Sequence, residues 1–157
     1  MSDDRTTYTV AELVAELKAA GYTTTDLSLP KDMLRCEFPY PVGVSTNHLY
    51  SRTRTGGVRQ SDAYASWRAC VDLSFVLRTS TIAANRPHIV QPNQRLSLTL
   101  EVYPPDKRRR DIDNLVKPAM DALFANIGGD DRQVDELHVY RREIRKRGRL
   151  ILTLGLL

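Results

Sequence analysis

The order strand, loop, helix, strand, helix, strand, strand predicts an α+β domain, a small mixed β-sheet with two main helices packed on it. Three patterns carry that expectation. Apolar residues alternate over 95–103, with Leu96, Leu98, Leu100 and Val102 on one side. They recur every three to four residues over 61–77 and again over 113–127. Proline, glycine and asparagine separate these segments.

Taken in order, residues 9–20 read as a short helix. Thr9 and Glu12 form a capping-box pattern, Val10, Leu13, Val14 and Leu17 make one stripe, and Gly21 is a stop. Residues 1–32 are expected to be an appendage, and 33–157 the main domain. Met33–Phe38 is a strand ending at Pro39. Residues 39–60 carry Pro, Gly, Ser and Thr with Arg52, Arg54 and Arg59, which is loop chemistry with positive charge suited to a phosphate backbone; a plain solvated loop has the same composition. Ser61 caps a helix to about Leu77, with Tyr64, Trp67, Val71 and Phe75 as its buried face. Residues 79–94 are a connection, and Pro104-Pro105 ends the strand before them. A helix opens with Asp113 as N-cap and closes at Gly128-Gly129. Strands Val134–Arg142 and Arg149–Leu156 follow, joined by a turn through residues 145–148.

A chain of 157 residues, 41% apolar and 27% charged, is long enough to bury one core without staples. No apolar run approaches the ~20 residues of a membrane span, and the acidic start MSDDRTTYTV is no secretory signal, so a cytoplasmic protein is expected. Charge is unevenly placed: residues 1–32 hold three basic and six acidic side chains, the rest twenty and thirteen. That basic body points to a polyanion. The three histidines and two cysteines form no zinc-spaced cluster, and no glycine-rich fingerprint for a P-loop or dinucleotide exists.

The chemistry concentrates in 107–136. Four cations, Lys107–Arg110, run into Asp111 and Asp113; a helix follows, then Asp130-Asp131. Cations and carboxylates side by side suit a phosphodiester together with a hard divalent metal. Each residue also fits a plain structural role. Asp113 serves as a cap, Lys117 as its i,i+4 partner, and Asp130-Asp131 as turn residues. A helix of ~15 residues spans about 22 Å, so Asp131 joins the first pair only if the chain folds back.

The string Arg108-Arg109-Arg110-Asp111-Ile112-Asp113-Asn114-Leu115-Val116-Lys117, then Asp121-Ala122-Leu123, then Asp130-Asp131-Arg132-Gln133-Val134, resembles the RusA-like family of Holliday-junction resolvases, often carried by phages. Pro41 to His48 and Pro104-Pro105-Asp106 are similar too, and the resemblance covers roughly 34–157. It implies a RusA-like fold and a homodimer that nicks opposing strands of a four-way junction. It further implies metal-dependent catalysis by Asp111, Asp113 and Asp131, with Lys117 also needed. Mg²⁺ is the expected cofactor and Mn²⁺ a substitute. Asn47, Arg52, Arg54, Arg108, Arg109 and Arg110 are the expected DNA contacts. A nuclease of flaps or other branched DNA, an RNase, or a non-catalytic binder of branched DNA also fits these residues. Whether Asp130 is a ligand stays open at this point.

Overall fold

The computed structural model describes residues 33–79 and 90–157. The expected helix at 9–20, the appendage 1–32, His88 and most of the 79–94 connection lie outside them. Among the described residues six strands and two α-helices form: β1 (Met33–Pro39), β2 (Tyr50–Arg52), β3 (Val58–Gln60), α1 (Asp62–Thr79), β4 (Leu96–Tyr103), α2 (Val116–Ile127), β5 (Val134–Arg141) and β6 (Arg149–Leu156). The main sheet has the order β1-β6-β4-β5, and β2 and β3 form a separate hairpin. Within the main sheet only β4 and β5 run parallel. The chain is α+β, with a mixed sheet, as the pattern predicts.

Alternation in β4 decides which face the helices cover. Leu96, Leu98, Leu100 and Val102 are buried with Leu150, Leu152 and Leu154 of β6 and Cys36 and Phe38 of β1. The opposite face carries Ser97, Thr99, Glu101 and Thr153, and is tied by Arg149–Glu37 and Arg142–Glu101 contacts at 2.7 and 2.6 Å. Helix α1 buries Tyr64, Trp67, Val71 and Phe75, the four residues its spacing selects. Phe38 meets the rings of Trp67 and Phe75 edge-on, and the Trp67 indole N–H donates to the Pro39 carbonyl at 2.8 Å. Trp67 is therefore a satisfied core residue. Ser61 does cap α1, its Oγ accepting from the Tyr64 N–H at 3.3 Å.

Two local features differ from the sequence expectation, and a third, strand adjacency, lay outside it. Residues 39–60 are not merely loop: Thr46–His48 form a 3₁₀ turn and β2–β3 a hairpin closed through Thr53 and Gly57. Their strands have three residues each and are almost wholly exposed, too short and too polar to show alternation. Next, Asp113 is not a side-chain cap. It opens a 3₁₀ turn, Asp113–Leu115, and α2 proper starts at Val116. Pro118 is the cause: it has no N–H to give the Asn114 carbonyl, which instead accepts from Thr46 Oγ at 3.0 Å. Finally, β5 and β6 are not partners. The turn at 145–148 forms, but β6 returns between β1 and β4 while β5 lies on the far edge. Arg142 and Arg145 N–H groups donate to the Val102 and Pro104 carbonyls, carrying the chain across the end of β4.

Because β4 and β5 are parallel, the chain must cross between them, and α2 is that crossover. At its far end Gly128 and Gly129 take φ of 76° and 83°, and the chain reverses. Gln133 locks the reversal. Its Oε1 accepts from the Asp130 N–H at 2.8 Å, and its Nε2 donates to the carbonyls of Gln91, Pro92 and Gln94. A Cβ on Gly129 would stand 2.8 Å from that Oε1, so the close approach requires glycine.

At the other end of the crossover, Asp106 pins the basic turn. It accepts two bonds from Arg110, at 2.7 and 2.9 Å, and one from the Arg108 N–H. The Arg110 guanidinium, foremost, holds the Asp106 carboxyl down at about 2.

Two outcomes test these locks. Gln133→Ala removes four part-buried hydrogen bonds and should cost about 1–3 kcal/mol, read as a lower urea midpoint with unchanged slope; an unchanged midpoint contradicts the lock. Since the Asp106 pKa is depressed on folding, its contribution is present above pH ~4 and is lost as pH falls through about 2. A carboxyl NMR titration should place its midpoint near 2 in the native chain and higher in Arg110→Ala, where only the Arg108 contribution remains; a native midpoint near 4 contradicts the contact.

Candidate active site

The residues singled out by sequence gather along α2. Asp111 and Asp113 sit on the segment that enters the helix, both exposed. Lys117 lies in its first turn, Asp121 one turn on, and Asp131 follows the glycine reversal. Lys117 Nζ donates to Asp121 Oδ1 at 2.6 Å and to Asp131 Oδ2 at 3.3 Å. The reversal therefore brings Asp131 back beside the helix, and the lysine bridges it to Asp121. Asp121 foremost, with Asp131 adding to it, raises the Lys117 pKa above the ordinary lysine value, so the ammonium is cationic at neutral pH. The i,i+4 partner of Lys117 is thus Asp121 and not Asp113, a choice the reversal settles by adding Asp131 on that side.

Asp111 and Asp113 make no ion pair and accept no side-chain hydrogen bond among the described residues, although four cations precede them in the chain. The nearest guanidinium, Arg110, turns to Asp106 and lies over the Tyr40 ring at 5.6 Å. Arg141 reinforces the turn by donating to the Arg110 carbonyl. Arg110 therefore holds the turn, while Lys107, Arg108 and Arg109 are exposed. Arg52 and Arg54 are exposed on and beside β2, and Asn47 lies on the exposed 3₁₀ turn. That turn packs against Asp113–Leu115, and its His48 ring pairs with Ser45 Oγ at 2.9 Å. Arg142, Arg145 and Arg149 are each paired with a glutamate.

Asp130 has a different task from Asp131. Both its oxygens accept from Arg132, through the N–H, Nε and Nη2, each at 2.9 Å. Those bonds hold its carboxyl far below the usual range. With Gln133 it makes the capping box of the 3₁₀ turn Asp131–Gln133. Asp121, Gln133 and the Thr46 contact were not singled out as functional by sequence. The D-A-L string and the Gln of D-D-x-Q-V contained the first two, but their partners depend on the fold.

The donor chemistry suits a hard divalent cation. Asp111 and Asp113 offer oxygens that no protein cation occupies. Mg²⁺ is commonly held by one or two carboxylates, with waters and substrate phosphate completing its shell. No group of three or more His, Cys, Asp or Glu side chains stands at ligand spacing among the described residues. A closed cage built of protein alone is therefore not what these residues form.

Comparison with known proteins agrees with the geometry. The family model described as endodeoxyribonuclease RusA matches residues 39–154. The crossover junction endodeoxyribonuclease RusA of Escherichia coli (strain K12) is 45% identical over 117 residues, 74% of this chain and 88% of that protein. The protein of that name from Enterobacteria phage 82 is 43% identical over the same extent. That from Enterobacteria phage HK97 is 31% identical over 104 residues, 66% of this chain and 78% of its own. By sequence match, this chain belongs to the RusA endodeoxyribonuclease family.

Proposed function

We propose that this protein is a structure-specific endodeoxyribonuclease that resolves four-way DNA junctions by paired nicks in opposing strands, using Mg²⁺. Family membership supports the substrate class, since the relatives are named crossover junction endodeoxyribonucleases. The observation that carries the catalytic reading is Lys117, held between Asp121 and Asp131 one turn beyond two unpaired carboxylates.

Asp111 and Asp113 would hold the metal, with Asp131, which does not stand at ligand spacing with them here, drawn in by the ion, and Mn²⁺ would take the same oxygens. When bound, the ion supplies Lewis-acid stabilisation of charge at the scissile phosphate and a more acidic water. Lys117 has three N–H donors, and Asp121 and Asp131 take two. The third is left for a phosphoryl oxygen, where charge builds in the transition state. The exposed Arg108, Arg109, Arg52 and Arg54, with Asn47 on the packed turn, would track the junction backbone. Arg110 would contribute by fixing the basic turn through Asp106.

Two nicks on a two-fold substrate need two sites related by a two-fold axis, so the active form is a homodimer. Among the described residues β5 is the open edge of the main sheet, and the free backbone groups of such an edge are of the kind a second copy pairs with. Among the described residues no helix is long and apolar enough to cross a membrane, consistent with work on DNA in a bacterial cytoplasm.

The test is cleavage of a synthetic four-way junction beside flap, duplex and single-strand controls, with Mg²⁺ and with EDTA. Paired, Mg²⁺-dependent nicks in opposing strands are expected. Preferential cutting of flaps overturns the junction assignment, and tight binding without cutting in Mg²⁺ or Mn²⁺ overturns the enzyme. Asp113→Asn should lower cleavage by roughly 10²–10³-fold while junction binding holds or tightens, since a repelling charge is removed; undiminished cutting sinks the metal assignment. Lys117→Ala should slow cutting to a similar degree.

A further inference from the structure

Opposite Lys117, α1 and the β2–β3 hairpin build a second wall that the proposed chemistry leaves unused. A cleft of about 430 Å³ lies between them, lined by Lys117, Asp121 and Asp131 on one side and Tyr50, Tyr64 and Arg68 on the other. The cations and rings on that wall are arranged in an unusual way. The Arg68 side chain is only 18% exposed, yet its guanidinium holds its partners at long range. Its Nη1 lies 3.4 Å from Tyr64 Oη and its Nη2 3.7 Å from Asp72 Oδ1, an oxygen that already accepts from Asn126 Nδ2 at 2.7 Å. Arg68 Nε is buried and makes no hydrogen bond among the described residues. A partly buried guanidinium whose donors are only loosely engaged gains from an anion that completes them.

Tyr50 stands beside it and is 55% exposed. Its ring meets Tyr64 edge-on at 6.4 Å, and Tyr64 in turn stacks on the core residue Trp67. An exposed ring fixed by packing behind it is a platform for a flat apolar partner.

We propose that this wall is a nucleotide subsite: Arg68 takes a backbone phosphate next to the scissile one, and Tyr50 stacks the unpaired base attached to it. A planar guanidinium and an aromatic face are what an unpaired nucleotide offers partners for, whereas a paired base in a duplex hides its face. The subsite therefore favours DNA whose bases open at a branch point over continuous duplex. It rests on the nuclease reading only for the identity of the strand that fills the cleft.

The experiment measures junction binding in EDTA, where turnover plays no part, using the full chain and a panel of junctions. Each junction carries one abasic nucleotide at a position flanking the crossover. For the native chain, one position should bind roughly five- to a hundredfold more weakly when its base is missing. Tyr50→Ala should lose that sensitivity, and Tyr50→Phe should keep it, because stacking does not need the hydroxyl. Arg68→Gln should weaken intact and abasic junctions alike and reduce the slope of log affinity against log salt by about one. Base sensitivity that survives Tyr50→Ala, or a salt slope unchanged in a folded Arg68→Gln, overturns the subsite. Should Arg68→Gln not fold, the exposed position Tyr50 decides alone. A native chain that cuts nothing in Mg²⁺ defeats the nuclease reading without touching this result, which reads binding only.

Discussion

The parallel pairing of β4 with β5 is the constraint on which the rest depends. Parallel neighbours cannot be joined by a tight turn, so the chain must travel back the length of the sheet before β5 can begin. Helix α2 makes that journey. It puts Asp111 and Asp113 at its entrance and Asp131 beyond its exit. The acidic residues are thus separated by the same crossover that creates the core. What brings Asp131 back beside the helix is local: a reversal at Gly128-Gly129, locked by Gln133, and Lys117, which bridges Asp131 to Asp121.

Electrostatics then divides the charged residues into two groups. One group is neutralised inside the protein: Asp106 with Arg110, Asp130 with Arg132, and Arg142 and Arg149 with glutamates on the outer face of the sheet. The other group is left open to a ligand: Asp111, Asp113, Lys107, Arg109, Arg52 and Arg54. The pairs are mostly exposed and each contributes little to stability. Their effect is geometric, since they fix the two turns that flank α2 and so set where the open charges stand.

Much of this was legible in the sequence because it rests on short-range periodicity. Leu96 to Val102 and the Tyr64–Phe75 stripe declare their buried faces through spacing alone, and Gly128-Gly129 declares the helix end. The β2–β3 hairpin was not legible, since exposed three-residue strands leave no pattern. Strand adjacency was not legible either, because β6 slots between β1 and β4 by pairing over long sequence distances. At the site, sequence offered Asp113 as the i,i+4 partner of Lys117, where the fold selects Asp121 instead. That choice belongs to the reversal after α2. The retreat of the α-helix start from Asp113 to Val116 follows from Pro118, whose position was visible but whose consequence needed Thr46 as the replacement donor.

The central claim is that carboxylates at both ends of the crossover serve one metal. Paramagnetic broadening by Mn²⁺ tests it without any reaction. In a two-dimensional NMR titration, the backbone amide signals of Asp111, Asp113 and Asp131 should all broaden over the same range of Mn²⁺ concentration, and Asp113→Asn should shift the whole set to higher concentration. Broadening confined to Asp111 and Asp113, with Asp131 untouched, would contradict a shared site and leave Asp131 as the lysine's anchor alone.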